Sequence, residues 1–156
     1  MKTADLVDAH DADVRFCDLP FALYGTRRRV QGTIVTVKTF EDNVLLKRTL
    51  ETTGEGRVLV VDGGGSTRVA LLGDMIATIA QKNGWRAVIL HGAVRDTVEL
   101  ASMDFAVFAV GKSPKKSAKA GAGSVDVTVS FGGVDFVPGH TLYGDDDGIL
   151  VSARAL

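Results

Sequence analysis

Short unbroken apolar runs and longer stretches of helical period take turns along this chain. Val58-Leu59-Val60-Val61, Val69-Ala70-Leu71-Leu72, Ala87-Val88-Ile89-Leu90 and the run from Phe105 to Val110 predict buried strands. Val30 to Thr39 alternates instead, with Ile34, Thr36 and Lys38 against Val35 and Val37, and reads as a strand. Met75, Ile76, Ile79 and Ala80 fall on one helical face. Gln81-Lys82-Asn83 close that helix, and Gly84 is its expected C′ residue. Thr3 to Ala9 reads as a short helix. Thr39-Phe40-Glu41-Asp42 resembles a capping box that opens a helix through about Thr52, with Val44, Leu45 and Leu46 inward. His91-Gly92-Ala93-Val94 is expected to be a loop into Arg95-Asp96, followed by a short helix to about Ser102. Val125–Val129, Val134–Val137 and Ile149–Ser152 read as late strands, with Gly132-Gly133 as a turn.

Helices thus concentrate in the first two thirds and hairpin-like strands in the last third, which gives an α/β class. The 156 residues, 46% of them hydrophobic, fit one domain over 1–156 with a full core. A net charge of -1 and a pI near 6.3 make nucleic acid an unexpected partner. Met1-Lys2-Thr3-Ala4-Asp5 has no apolar signal stretch and no run reaches membrane-spanning length, so a cytoplasmic location is expected. Cys17 stands alone, which rules out an internal disulfide; it reads as a buried small hydrophobe.

Within this apolar frame, charge appears at two turn-like positions: Asp74 after Gly73, and Arg95-Asp96 twenty residues further on. Charged groups there are costly to bury without partners or a metal. The pattern places them at the same end of a strand–helix–strand unit, where open α/β sheets bind ligands. The helix start from Gly73 through Asp74, Met75 and Ile76 offers N–H groups to a carboxylate or oxyanion. Arg95 can grip a carboxylate or stabilise an enolate oxygen. Asp96 is a hard donor for Mg²⁺ or Mn²⁺, and Asp74 can orient or deprotonate a water. On spacing alone, a plain helix cap and a surface charge pair read the same way.

Gly73, Arg95-Asp96-Thr97-Val98-Glu99, Val61-Asp62-Gly63-Gly64-Gly65-Ser66, Asn83-Gly84-Trp85, His91-Gly92-Ala93-Val94, Phe131-Gly132-Gly133-Val134 and Tyr143-Gly144-Asp145-Asp146-Asp147-Gly148-Ile149 together resemble one family. It contains the regulator of ribonuclease activity A and the class II 4-hydroxy-4-methyl-2-oxoglutarate aldolases, and the resemblance covers nearly the whole chain. It implies a layered β/β/α swivelling-domain architecture and a homotrimer. It implies a small 2-oxo acid substrate held at Gly73, Asp74, Met75, Ile76 and Arg95. It further implies a divalent metal on Asp96 and a water base on Asp74. Family members that regulate a ribonuclease lack the Asp after the Arg; this chain keeps it as Asp96. Aldol cleavage to pyruvate with oxaloacetate decarboxylation is therefore the expected activity. The alternative is a non-catalytic protein that binds a ribonuclease. The aldolases draw further acids from a neighbouring subunit, for which Asp145, Asp146 and Asp147 are the nearest candidates.

Other motifs carry less. Gly63-Gly64-Gly65-Ser66 lacks dinucleotide spacing and the P-loop Lys, and reads as a backbone turn. Lys112 to Lys119 is the basic run, expected as a solvated flexible loop or folded near the site to add positive field. His10, His91 and His140 match no metal-ligand spacing, and His91 is expected to make a structural hydrogen bond. Trp85 reads as a core anchor. Asp145-Asp146-Asp147-Gly148 reads as an acidic turn.

Overall fold

The apolar runs become the middle of a ten-stranded sheet in the computed structural model, which describes residues 2–156. Its parallel centre comprises β3 (Val30–Lys38), β4 (Val58–Asp62), β6 (Ala87–Val94) and β7 (Val107–Lys112), with β5 (Ala70–Leu72) added beside β6. The short strand β2 (Ala22–Tyr24) closes one edge against β7. Strand β3 serves two partners. Its second half, Ile34–Lys38, runs parallel to β4, while Val30–Thr33 pairs antiparallel with β11 (Thr141–Asp145). Beyond β11 lie β12 (Gly148–Ser152) and β1 (Val14–Phe16). β8 (Ser124–Val125) pairs with the end of β3, and β9 (Val129–Phe131) with β10 (Val134–Phe136) makes a separate hairpin.

Successive residues of the parallel strands feed two cores. Val37, Leu59, Val61, Val88, Leu90 and Val107 face the helices α2 (Val44–Leu50), α3 (Asp74–Lys82) and α4 (Thr97–Ser102). Ile34, Val58, Val60, Ala87, Ile89 and Phe108 face the other way, onto Val129, Phe131, Val134, Phe136, Leu142 and Ile149 of the β-rich last third. This is the expected β/β/α layering, and it explains why β4 is buried at all five positions: a sheet covered on both faces needs no polar alternation. Helix α1 (Thr3–His10) packs outside the second sheet layer through Leu6, against Tyr143 and Leu150.

Several local expectations change, among them the strand expected over Val125–Val129, which is split between β8 and β9 with 126–128 outside both. His91–Val94 is strand: β6 runs on to Val94 because β5 and β7 flank it, pairing Ala93 with Ala70 and with Gly111. The capping box does not form. The Thr39 hydroxyl donates to the carbonyls of Asp42 and Ala122, and α2 starts only at Val44, whose N–H the Asp42 carboxylate accepts at 3.0 Å. Of that helix's aliphatics, Leu46 and Leu50 are buried, while Val44 and Leu45 are half-buried. On α3 the buried face is Ile76, Ala77 and Ala80; Met75, one position off that stripe, is 78% exposed. Lastly, the basic run is tied down. Ala70 N–H donates to the Lys115 carbonyl and Ala118 N–H to that of Glu41, while the Asp42 carboxylate accepts the N–H groups of Ala120 and Gly121. No helix among the described residues is long and apolar enough to cross a membrane.

Candidate active site

Strands β5 and β6 end side by side, and the chain turns after each into a helix. Arg95 N–H donates to the Leu72 carbonyl at 3.0 Å, which locks the two turns together. Asp96, next along, takes a left-handed conformation (φ 58, ψ 43) that aspartate tolerates better than most residues. That conformation aims its carboxylate back at the start of α3, where Oδ2 accepts the Asp74 N–H at 3.0 Å. Gly73 makes room. A Cβ there would sit 2.3 Å from Asp96 Oδ2, although the extended backbone of Gly73 (φ -134) suits any residue. The glycine is required for close approach rather than for its own conformation.

The two carboxyl groups meet. A hydrogen bond from Asp96 pushes the Asp74 carboxyl above its ordinary value, with burial and the charges of Asp96 and Glu99 acting in the same direction. Two facing carboxylates repel one another, and a cation between them relieves the repulsion. The helix start is also less free than its sequence suggests, since Asp96 occupies the Asp74 amide and the Asp74 carboxylate engages that of Met75.

Around this pair lies an open cleft of about 360 Å³. Leu71, Leu72, Ile76 and Ile79 form its apolar wall; Arg95, Lys47, Lys116 and Lys119 supply positive charge, with Asn43 beside them. The Arg95 guanidinium is exposed and makes no ion pair or side-chain hydrogen bond among the described residues; the same holds for Lys116 and Lys119. The substrate, base and metal candidates proposed from sequence (Gly73, Asp74, Met75, Ile76, Arg95, Asp96) all line this one cleft. Asn43 and Lys47, at the start of α2, escape sequence reasoning because only the packing of α2 beside α3 brings them there. Lys116 and Lys119 arrive through the tethered basic run.

Other residues lie elsewhere. Asp145 is buried and accepts the Thr3 N–H and hydroxyl at 2.8 and 2.7 Å, while Asp146 pairs with Arg28. Their turn sits beside Val30, at the end of the sheet remote from Asp96 in the same chain. The Gly64 and Gly65 turn, both residues at positive φ, packs against Phe40 and His91. The expected structural hydrogen bond of His91 does not form. Its buried Nδ1 lacks a partner, standing 3.5 Å from Asp62, and the ring stacks on Phe131. Cys17 is buried beside the Phe131 carbonyl, and burial raises its thiol to about 12, which makes it inert at neutral pH. Trp85 is a core anchor, donating Nε1–H to the Thr52 carbonyl at 3.0 Å.

Residues 3–151 match the family model described as Aldolase/RraA. The chain belongs to the RraA-like family. It is 50% identical over 155 residues, 99% of this chain and 98% of the relative, to a protein of Aromatoleum aromaticum provisionally named 4-hydroxy-4-methyl-2-oxoglutarate aldolase. A crystal structure from Geobacillus kaustophilus, titled an S-adenosylmethionine:2-dimethylmenaquinone methyltransferase, superposes with a TM-score of 0.98 at 50% identity, covering 100% of this chain and 97% of that one. The RNA-processing inhibitor RraA of Thermus thermophilis gives 0.96 at 43% identity, covering 100% and 94%. One RraA-like fold therefore carries three differently named functions, and only the cleft can choose between them.

Proposed function

We propose that this RraA-like protein is a divalent-metal-dependent lyase that cleaves 4-hydroxy-4-methyl-2-oxoglutarate, or a related 4-hydroxy-2-oxo acid, to pyruvate, and decarboxylates oxaloacetate in the same site. The observation that carries the proposal is the Asp74–Asp96 carboxyl pair beside the Arg95 guanidinium, which has no partner among the described residues, in a lysine-bearing cleft. A small polyanionic acid fits the charge of that lining, whereas a quinone with a nucleoside cofactor would call for aromatic side chains to stack on, and none is among the lining residues.

The donor set suits Mg²⁺ or Mn²⁺. Two hard carboxylates face one another, and such ions need only one or two protein carboxylates while keeping waters. No group of three or more His, Cys, Asp or Glu converges among the described residues. Asp96 would hold the metal, with Asp74 facing it; when bound, the ion polarises the 2-oxo group and offsets charge that develops on its oxygen.

The chain's own residues do the rest. Arg95 clamps the 2-oxo acid carboxylate or the developing enolate oxygen. Asp74, through a water, takes the proton of the C4 hydroxyl. The C3–C4 bond then breaks: C4 becomes the carbonyl of one product and the electron pair passes to C3–C2 as pyruvate enolate, which a proton at C3 converts to pyruvate. Oxaloacetate reaches the same enolate by loss of CO₂. Lys116, Lys119 and Lys47 oppose the negative charge of the distal carboxylate.

Chelator-treated protein, assayed for pyruvate release from both acids with and without Mg²⁺, tests the proposal. Metal-restored turnover is expected. Its absence, together with binding to a ribonuclease, would favour the regulator reading that the 43% identity to the Thermus inhibitor keeps open.

We also propose a homotrimer with its sites at the subunit boundaries. Met75, on the cleft-lining helix α3, and Val98, on α4 just past Asp96, are 78% and 80% exposed and offer apolar surface for a neighbour. Light scattering at micromolar concentration tests the mass; a fully active monomer would sink both claims.

A further inference from the structure

Arginines collect at the end of the sheet opposite the cleft. Each precedes a parallel strand: Arg27, Arg28 and Arg29 run into β3, Arg57 into β4 and Arg86 into β6. The Arg27–Arg29 run is a second basic stretch, shorter than the lysine run and set apart from it.

Three of the five are already engaged. Arg27 makes a forked pair with Asp104, at 2.6 and 3.3 Å. Arg28 pairs with Asp146 and donates to the Leu23 and Gly25 carbonyls. Arg57 donates to the Thr53 and Gly54 carbonyls and lies over Trp85, 5.1 Å from the ring centroid. Arg29 and Arg86 are exposed and, among the described residues, have no ion pair or side-chain hydrogen bond. Both line a depression of about 410 Å³ with Arg27, Gln81 and Trp85. Arg86 also lines an adjoining depression of about 420 Å³, with Gln31, Thr33 and Thr141. The two meet at Gly56, whose missing side chain leaves room for the Arg86 guanidinium: a Cβ there would stand 3.3 Å from Nε.

The arginines of this surface outnumber its two carboxylates, Asp104 in the first depression and Glu55 in the second, and an anion that accepts from the free forks of Arg29 and Arg86 relieves the repulsion between them. Asp104 is engaged by Arg27, which donates to both of its oxygens, and makes no ion pair with Arg29 or Arg86. The ligand must carry several negative charges, because Arg86 joins two depressions. Aromatic surface for stacked bases is lacking, with Trp85 and Phe105 only 4% and 3% exposed, and the chain's net charge of -1 gives no broad field for nucleic acid. The Gln31 amide and the Thr33 hydroxyl suit a peptide backbone, while the Gln81 amide already donates to the Asp104 carbonyl at 2.9 Å.

We infer that this arginine-lined groove docks an extended acidic segment of a partner protein, whose carboxylates pair with Arg29 and Arg86. The inference is independent of the proposed lyase activity.

Trp85 is the only tryptophan and lines the groove, so its fluorescence reports occupancy. The full chain is titrated with a hexaglutamate peptide in dilute salt, by fluorescence and calorimetry, with a uridine hexanucleotide in parallel. Saturable peptide binding is expected. It should weaken at least about tenfold in Arg29→Glu/Arg86→Glu, and about as much when salt screens the pairing. Arg95→Ala, at the other end of the sheet, should bind the peptide like the parent. Should the charge reversal disturb folding by circular dichroism, Arg29→Gln/Arg86→Gln serves in its place. Three results would overturn the inference: no saturable peptide binding, unchanged affinity in the variants, or tighter binding of the oligonucleotide. A lower mass of the variant in light scattering would also overturn it, by assigning the groove to contacts between copies of this chain.

Discussion

Acidic residues at the two ends of the sheet have opposite surroundings. At the end where β3 begins, burial tends to raise the Asp145 carboxyl, but donors from Thr3, Asp147 and Gly148 more than offset it and hold the group below its ordinary value of 3.8. Where β5 and β6 end, Asp74 faces another carboxyl, and its own is pushed up. A carboxylate surrounded by N–H and O–H donors is a fastener, and Asp145 ties α1 to the β11–β12 turn. A carboxylate set against a second carboxylate gains nothing for the fold from that contact. It is available to a cation, a proton or a water. The contrast separates structural acids from candidate catalytic ones more sharply than sequence position does.

The largest effect expected on this contrast comes from Asp96→Asn. Asparagine also tolerates the left-handed backbone and can still accept the Asp74 N–H, so the fold should persist while the charge disappears. Pyruvate release at saturating Mg²⁺ should fall at least about 100-fold, the scale of losing one charge-stabilising group in an active site. Normal turnover would remove Asp96 from the mechanism.

Asp145→Ala should do the reverse, costing stability and sparing turnover below the unfolding temperature. It strips the acceptor from the buried Thr3 N–H and hydroxyl and from the Asp147 N–H, a loss of about 2–4 kcal/mol in denaturant unfolding. The pH dependence follows the same logic. Asp145 and Asp42 are both depressed in the folded state, so their contribution is complete above the unfolded carboxyl value. It is lost as pH falls through the lower folded values. Stability of the parent should therefore drop below about pH 4, and Asp145→Ala should flatten that drop. An unchanged acid limb in the variant would contradict the fastener role.

Gly73→Ala sharpens the comparison from the other side. Its backbone accepts alanine, yet the new methyl would press on Asp96 Oδ2. Activity should fall about tenfold or more while the melting temperature moves by only a few degrees. The smallest change belongs to Lys116→Ala and Lys119→Ala: KM for a dicarboxylate substrate up about three- to tenfold each with kcat little altered, as when uniform binding is lost. An equal fall in kcat would place those lysines at the reacting atoms instead.

Local chemistry made much of this legible in the sequence. Unbroken aliphatic runs marked β4, β5, β6 and β7 because strands buried on both faces admit nothing else. Asn83-Gly84 marked the end of α3, and Gly84 indeed takes φ +83. Asp74, Arg95 and Asp96 stood out because charge interrupts an apolar frame, and the strand ends then brought them to one cleft. The sequence alone thus determined the core strands, the α/β class and the identity of the charged turn residues; the β/β/α layering came from the family resemblance.

Tertiary structure decided what depends on distant partners. Gly92 looks like a turn residue, yet β6 continues past it through a register shift because β5 and β7 both pair with Ala93 beyond it. The lysine run has a loop's composition, yet carboxylate and carbonyl acceptors at Glu41 and Asp42 fix it beside the cleft. Asp145 and Asp74 are the same residue type in turn-like settings. Only the packing of Thr3 against one and Asp96 against the other makes the first a fastener and the second a candidate catalyst, since hydrogen-bond partners across the chain, and not the local sequence, set the free energy of a charge.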